Sequence, residues 1–330
     1  MYYAFRFSQL ILMSCDHYYS IIHKLKQNVC FSNNSNCAID LVLDGGAFSG
    51  SYLIGCMFYL QSLEHDNIIS IKRVSGTSIG SLLAITYFLN DFENCEYYYN
   101  ISAQCFHENH DLTIIDNILN MLKKKMKLWE KQNDDSFYRF VSDKLFVNYF
   151  DITQRKQIVV SHFENNEHLC QCIKRSCFVP FVINGEMICE DKYIDGLYPY
   201  LFQNNKDTCV LGNRVLFLQL SSYCYNCLHI ENERDNNSQR ILTGILDIHR
   251  FFLYDGKKST SICSFLDQWN YINYFVFYLR VFITHVIVLF IYFLFILKRN
   301  SYFYSLIGNF YSKKKLVMFK RFYSFFLSFL

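Results

Sequence analysis

Apolar positions along the chain fall into two rhythms: short continuous runs bounded by glycine or polar residues, and longer segments with apolar residues three and four apart. Ala38–Asp44 is a run of strand length that ends on Gly45 and Gly46. Gly50–Glu64 follows with Leu53, Ile54, Met57, Phe58 and Leu60 apolar, the spacing of a helix. Ile68–Val74 is a second β-prone run, and Ser81–Leu89 is apolar and rich in helix formers. Strand, glycine loop, helix, strand, turn, helix predicts an α/β fold with a parallel sheet. Further strands are predicted over Gln157–Phe163 and Arg214–Leu220. Between Leu112 and Gln132, residues Ile114, Ile115, Ile118, Leu119, Leu122, Met126 and Trp129 recur at helical intervals. Such a stripe covers a core, while Lys123, Lys124, Lys125 and Lys127 in the same stretch would also suit an anionic membrane surface.

The rhythm changes at the C-terminal end. Tyr274–Leu297 is almost continuously apolar, long enough to span a bilayer, and Lys298 and Arg299 close it. Arg280 lies inside this run and is expected to snorkel toward the interface. Beyond it, Lys313–Lys315 and Lys320-Arg321 alternate with Phe, Tyr and Leu, as in an interfacial or re-entrant tail. The expected organisation is an N-terminal extension over 1–37, a catalytic domain over 38–270 and a membrane segment with a basic-aromatic tail over 271–330. No signal peptide is expected, because Leu10–Met13 is followed by charged residues and by no small-residue cleavage site. The C-terminal third is expected to hold the protein on a membrane, as a transmembrane or monotopic segment, and to add nothing to the chemistry. The catalytic domain is expected in the cytosol.

Composition narrows the partners. A net charge of +3 gives no global case for nucleic acid, and none is expected as a partner. The 14 cysteines are scattered and not framed at disulfide-scaffold spacings, which favours a reduced compartment. Cys224-x-x-Cys227 with His229, together with Cys170, Cys172 and Cys177, offers zinc ligands, but a single C-x-x-C lacks a matched second pair and 14 scattered cysteines make chance pairs easy, so no metal is expected.

The chemistry concentrates where the glycines do. Only 12 glycines occur in 330 residues, yet six lie between Gly45 and Gly80. Gly76-Thr77-Ser78-Ile79-Gly80 matches the nucleophile elbow, in which a serine sits on a sharp turn between strand and helix. Asp44-Gly45-Gly46-Ala47-Phe48-Ser49-Gly50 is a glycine-rich loop able to aim backbone N–H groups at an anion. Asp44 itself is expected to be structural. A nucleophile together with an oxyanion hole is the equipment of an acyl hydrolase. Serine needs a base, and two are available: Asp195 in Tyr193-Ile194-Asp195-Gly196, or a Ser–Asp–His set completed by His249.

These motifs resemble those of the patatin-like phospholipase family over roughly Ala38–Leu220. The glycine loop, the elbow and the later Asp-Gly pair carry the resemblance, with Ser176–Pro180 similar to the family's serine-to-proline segment. The resemblance implies a three-layer α/β sandwich with a mostly parallel central sheet. It also implies a Ser–Asp dyad without cofactor, metal or essential histidine, and hydrolysis of acyl esters in membrane phospholipid or another acyl lipid. Position by position, Ser78 becomes the nucleophile, Asp195 the base, and Gly45, Gly46 and Ala47 the oxyanion hole. Gly50, Gly76, Gly80 and Gly196 complete the loop and turns. Two positions depart from the family pattern: Ala47 replaces the third loop glycine, and Ser49 replaces a basic residue. They leave open a weak enzyme or a patatin-like lipid-binding protein.

Overall fold

The computed structural model describes residues 16–27, 37–202, 213–220, 234–254 and 256–299. Cys224, Cys227, His229 and the basic-aromatic tail lie outside the described residues. In chain order the elements are α1 (16–26), β1 (Cys37–Leu43), α2 (Gly50–His65), β2 (Ile69–Gly76), α3 (Ile79–Phe88), α4 (Cys95–Asn109), α5 (Ile114–Asn133) and α6 (Phe137–Val141). There follow β3 (Leu145–Asp151), β4 (Lys156–Val160), α7 (Asn166–Ser176), β5 (Tyr193–Ile194), β6 (Arg214–Leu218), α8 (Arg234–Leu253), β7 (Cys263–Phe265) and α9 (Tyr271–Arg299).

The strands form one mixed sheet in the order β4-β3-β2-β1-β6-β7, with β5 also paired to β3. Strands β3, β2, β1 and β6 run parallel, and β4, β5 and β7 are antiparallel additions. The chain is thus an α/β sandwich with a mostly parallel centre. Successive side chains of a strand point to opposite faces, which divides β1 cleanly. Ile39, Leu41 and Leu43 enter the main core with α2, α3, α5, α7 and α8. Val42 faces the other way and packs with Phe202 and Phe217.

Local sequence explains several element ends. Asn165 caps α7 by accepting the His168 amide at 2.8 Å, with Glu167 in the first turn and Lys174 and Arg175 in the last, each favourable to the helix dipole. Helix α5 buries Ile115, Ile118, Leu119, Leu122 and Met126, the stripe that its spacing predicts. Two of its lysines are tied to the domain, Lys123 to Glu167 and Lys125 to the buried Asp91. Those contacts favour the ordinary core-covering role.

Helix α9 is the apolar run seen in the sequence, and it does not stand apart from the domain. Phe277, Val281, Ile287, Val288, Ile291 and Phe295 pack on Phe150, Ile152, Phe181, Ile194, Leu197 and Tyr198. Phe277 also meets Phe217 and Trp269, so the helix reaches the second face of the sheet. Its outer side remains apolar: Phe275, Phe282 and Phe293 are 66%, 65% and 56% exposed. Arg280 lies on the packed side with only 7% of its surface accessible. The expectation that it snorkels is therefore corrected: a buried carboxylate supplies what the interface would have supplied.

Candidate active site

Four chain segments converge at the C-terminal ends of β1 and β2. Parallel pairing brings Leu43 of β1 opposite Gly76 of β2, so the glycine loop and the elbow leave the sheet side by side. The elbow is strained as its motif requires. Ser78 sits at φ 52° and ψ −127°, outside the regions that a residue with a Cβ prefers. Neighbouring bonds hold it there. Its amide donates to Ser176 Oγ at 2.9 Å, and its carbonyl accepts from the Ser81 amide at 2.9 Å and from Ser81 Oγ at 2.7 Å. The flanking glycines permit the close approach: a Cβ on Gly76 would lie 2.5 Å from the Gly80 carbonyl, and one on Gly80 would lie 2.6 Å from the Leu43 carbonyl.

Asp195 follows β5, itself paired with β3. The Asp195 amide donates to the Phe178 carbonyl at 2.9 Å, and Oδ1 accepts the Leu197 amide at 2.8 Å. Oδ2 is buried without a well-formed hydrogen bond among the described residues, although the Ser78 side chain is close enough to hold the proton affinity of the carboxyl down. Loose geometry of this kind is common before substrate binds. Burial dominates and raises the pKa of Asp195 to about 6, against the opposing effects of Ser78, the Leu197 amide and Arg280. Gly196 lies so close to Thr77 that a Cβ would meet its hydroxyl at 2.2 Å, which seats the turn directly against the elbow.

The glycine loop divides into an anchor and a free part. The Gly45 amide donates to Asp44 Oδ1 at 2.9 Å, so this N–H is turned inward. Gly46 and Ala47 amides make no hydrogen bond among the described residues, which leaves them available to an anion. Ala47 has φ 44°, the left-handed region that the missing glycine would favour. The methyl group there costs about 1 kcal/mol. Ser49 is buried, and Gly50 approaches Ile79 closely enough that a Cβ would lie 2.4 Å from Cγ1.

Asp44 is structural, and more deeply so than its place before the loop suggests. Fully buried, it takes Gly45 N–H and Arg280 Nη2 on Oδ1, the latter at 2.8 Å. Oδ2 accepts the Leu220 amide at 3.0 Å and Arg280 Nη1 at 2.9 Å. Arg280 Nη2 donates in addition to the Leu197 carbonyl at 2.8 Å. A two-pronged guanidinium–carboxylate pair whose carboxylate oxygens also accept the Gly45 and Leu220 amides is the geometry in which a buried ion pair is tolerated.

Beside Ser78 and Ala47 lies an apolar cavity of about 100 Å³. Ile54 of α2, Leu82 and Leu83 of α3, and Ile115, Ile118 and Leu122 of α5 line it.

His249 is elsewhere engaged. Its Nδ1 is 3.0 Å from the Tyr59 hydroxyl and its ring packs on the Tyr59 ring; burial lowers its pKa. Cys170, Cys172 and Cys177 are buried with raised thiol pKa values, and among the described residues no group of three or more potential ligands is placed to hold a metal ion. The sequence motifs bring Ser78, Asp195, Gly46 and Ala47 together. Ser176 as support for the elbow and Arg280 as partner of Asp44 were not anticipated. The lone charge of Arg280 inside an apolar run was the available signal for the second.

Compared with protein families, residues 41–204 match the family model described as patatin-like phospholipase. Compared with curated proteins, the chain has no match.

Proposed function

The chain belongs to the patatin-like phospholipase family, and from that premise we propose that it is a phospholipase A-type acyl hydrolase acting through a Ser78–Asp195 dyad. Membership supports a general lipid-hydrolase activity. The finer reading is carried by one observation: a serine on a strained elbow, beside a buried carboxyl and an apolar cavity. As Ser78 Oγ attacks the ester carbonyl carbon, Asp195 takes its proton. Negative charge developing on the carbonyl oxygen is met by the Gly46 and Ala47 amides and by the N-terminus of α3. Asp195 then returns the proton to the departing alcohol of the lysolipid. Water attacks the acyl-enzyme by the same route and releases the fatty acid. Gly45, whose N–H is held by Asp44, anchors the loop in this scheme. The cavity accepts part of the acyl chain.

The catalytic unit in this reading is residues 38–270, and α9 is its lipid-facing element on the cytosolic side of a membrane. A helix packed along the domain for most of its length suits a monotopic placement, with its outer phenylalanines in the lipid and its inner stripe on the protein. Confinement to the surface raises the effective concentration of enzyme at its substrate.

A lipid-binding protein without catalysis is the alternative that Ala47 favours, since a misdirected donor in the oxyanion hole costs about 10²–10³ in rate. The two separate on mixed phospholipid vesicles. The wild-type protein is expected to release free fatty acid and lysolipid in equal amounts, and Ser78→Ala to release neither. Vesicle binding without product release by folded wild-type protein would favour the alternative.

A further inference from the structure

Helix α9 enters the site through one residue. Arg280 grips both oxygens of Asp44 and donates at the same time to the Leu197 carbonyl. Asp44 is the point from which the glycine loop departs, and it holds the Gly45 amide. Leu197 stands on the opposite wall: its amide bonds Asp195 Oδ1, and its backbone is held at φ 57°. One guanidinium thus bridges the loop with the candidate oxyanion donors and the turn with the candidate base. A planar fork of five N–H groups can make these contacts together, whereas a lysine ammonium cannot reproduce the geometry.

We propose that Arg280 is a positioning residue for acyl transfer, fixing the Asp44–Ala47 loop and the Asp195–Leu197 turn relative to each other from the apolar helix. This rests on the Ser78–Asp195 reading. It makes α9 part of the catalytic apparatus as well as the lipid-facing surface, so the C-terminal segment does more than anchor. A displacement of about 1 Å at such a site costs on the order of 10²-fold in rate.

The charges around the base give the proposal a signature that loosened packing lacks. The groups that face the Asp195 carboxyl are Ser78 at the elbow, Cys177 after α7, Asp44 after β1 and Arg280 on α9. Arg280 favours the ionised carboxylate, and Asp44 disfavours it. Arg280→Met and Asp44→Asn break the same ion pair yet move the titration of Asp195 in opposite directions.

The test uses the full chain and a soluble short-chain ester, with kcat and KM measured against pH. Wild type is compared with Arg280→Met, Arg280→Lys, Asp44→Asn, Thr284→Val and Ser78→Ala. Thr284 is buried one turn from Arg280 and its hydroxyl makes no hydrogen bond among the described residues, so its valine variant controls for altered packing on the same stripe. Arg280→Met is expected to lose about 10²-fold in kcat with KM within about three-fold. Its acidic limb should move to higher pH, that of Asp44→Asn to lower pH, and Thr284→Val should stay within about three-fold of wild type. Should Arg280→Met fail to fold, Arg280→Lys decides, with an expected loss of about ten-fold in kcat. Arg280 variants that fold and turn over like wild type, with the acidic limb unmoved while Ser78→Ala is inactive, would overturn the positioning role and leave the dyad standing. Turnover retained by Ser78→Ala would overturn the dyad and this proposal with it.

Discussion

As the base we propose, Asp195 meets two demands that pull against each other. A base must be ionised at the working pH, yet this carboxyl is buried and its pKa is raised to about 6. The rate consequence is that kcat/KM falls as the pH drops through about 6, because the protonated acid cannot accept the Ser78 proton. The stability consequence has the opposite sense. A carboxyl whose folded pKa lies above its unfolded value binds the proton more tightly when folded. Its contribution is full below about pH 4 and is lost as the pH rises through about 6. At pH 7 the ionised group costs the fold on the order of 3 kcal/mol. Asp195→Asn keeps an acceptor for the Leu197 amide and removes the charge. It is therefore expected to abolish most turnover while raising urea stability at pH 7 by that order, with the gain shrinking toward pH 4. Equal destabilisation at both pH values would show that the carboxylate is held by interactions stronger than its burial. At this scale the sequence was informative where chemistry dictates a local pattern. The serine between two close glycines marks a turn in which Gly76 meets Gly80 four residues on, and the Asp-Gly pair marks a turn in which Asp195 accepts the Leu197 amide two residues on. Arg280 escaped because its partner is 236 positions away, and a single charge in an apolar run fits snorkelling equally well.

Helix α9 carries two apolar faces with different partners, so a hydropathy reading registers their sum. The inner stripe buries Ile287, Val288 and Ile291 against β3, β5 and the following turn. The outer face leaves Phe275, Phe282 and Phe293 in the open. Replacing these three by glutamine is expected to weaken co-sedimentation with anionic phospholipid vesicles strongly, while soluble-ester turnover stays within a few-fold. Ile291→Ala on the inner stripe should behave differently, destabilising the fold by about 2–4 kcal/mol in urea melts. Vesicle binding unchanged in the glutamine variant would remove the lipid-facing role from α9. Elements with one dominant periodicity were legible: β1, α2, β2, α3, α5, β4 and β6 lie within a few residues of their predicted places. Strand β3 was not. Its apolar run is interrupted by Asn148, a polar residue kept in the core because its amide donates to Thr77 Oγ1 at 3.3 Å and to the Tyr198 carbonyl at 2.9 Å. Helix α8 begins in a polar stretch, and its burial is set by packing on α2, with Gly55 and Gly244 so near the facing backbone that a Cβ would clash at each.

Across the whole molecule, the mostly parallel sheet does the assembling. It sets the glycine loop and the elbow next to each other at the ends of β1 and β2, and β5, paired with β3, delivers Asp195 to the same edge. Ser176, at the end of α7, joins the two walls by accepting the Ser78 amide from its side chain and the Gly196 amide from its carbonyl. The apolar cavity between α2, α3 and α5 lies beside the serine so placed, where the proposed acyl substrate would enter. The central claim is that Ser78 is an activated nucleophile with Asp195 as its base. Fluorophosphonate labelling of the intact protein, read by mass spectrometry of the peptide that contains Ser78, tests it most directly, because only an activated serine is phosphonylated quickly. Wild-type protein is expected to be labelled at Ser78 within minutes, His249→Ala at a similar rate, and folded Asp195→Asn slower by about 10²-fold or more. Wild-type protein unlabelled at Ser78, or Asp195→Asn labelled as fast as wild type, would contradict the dyad.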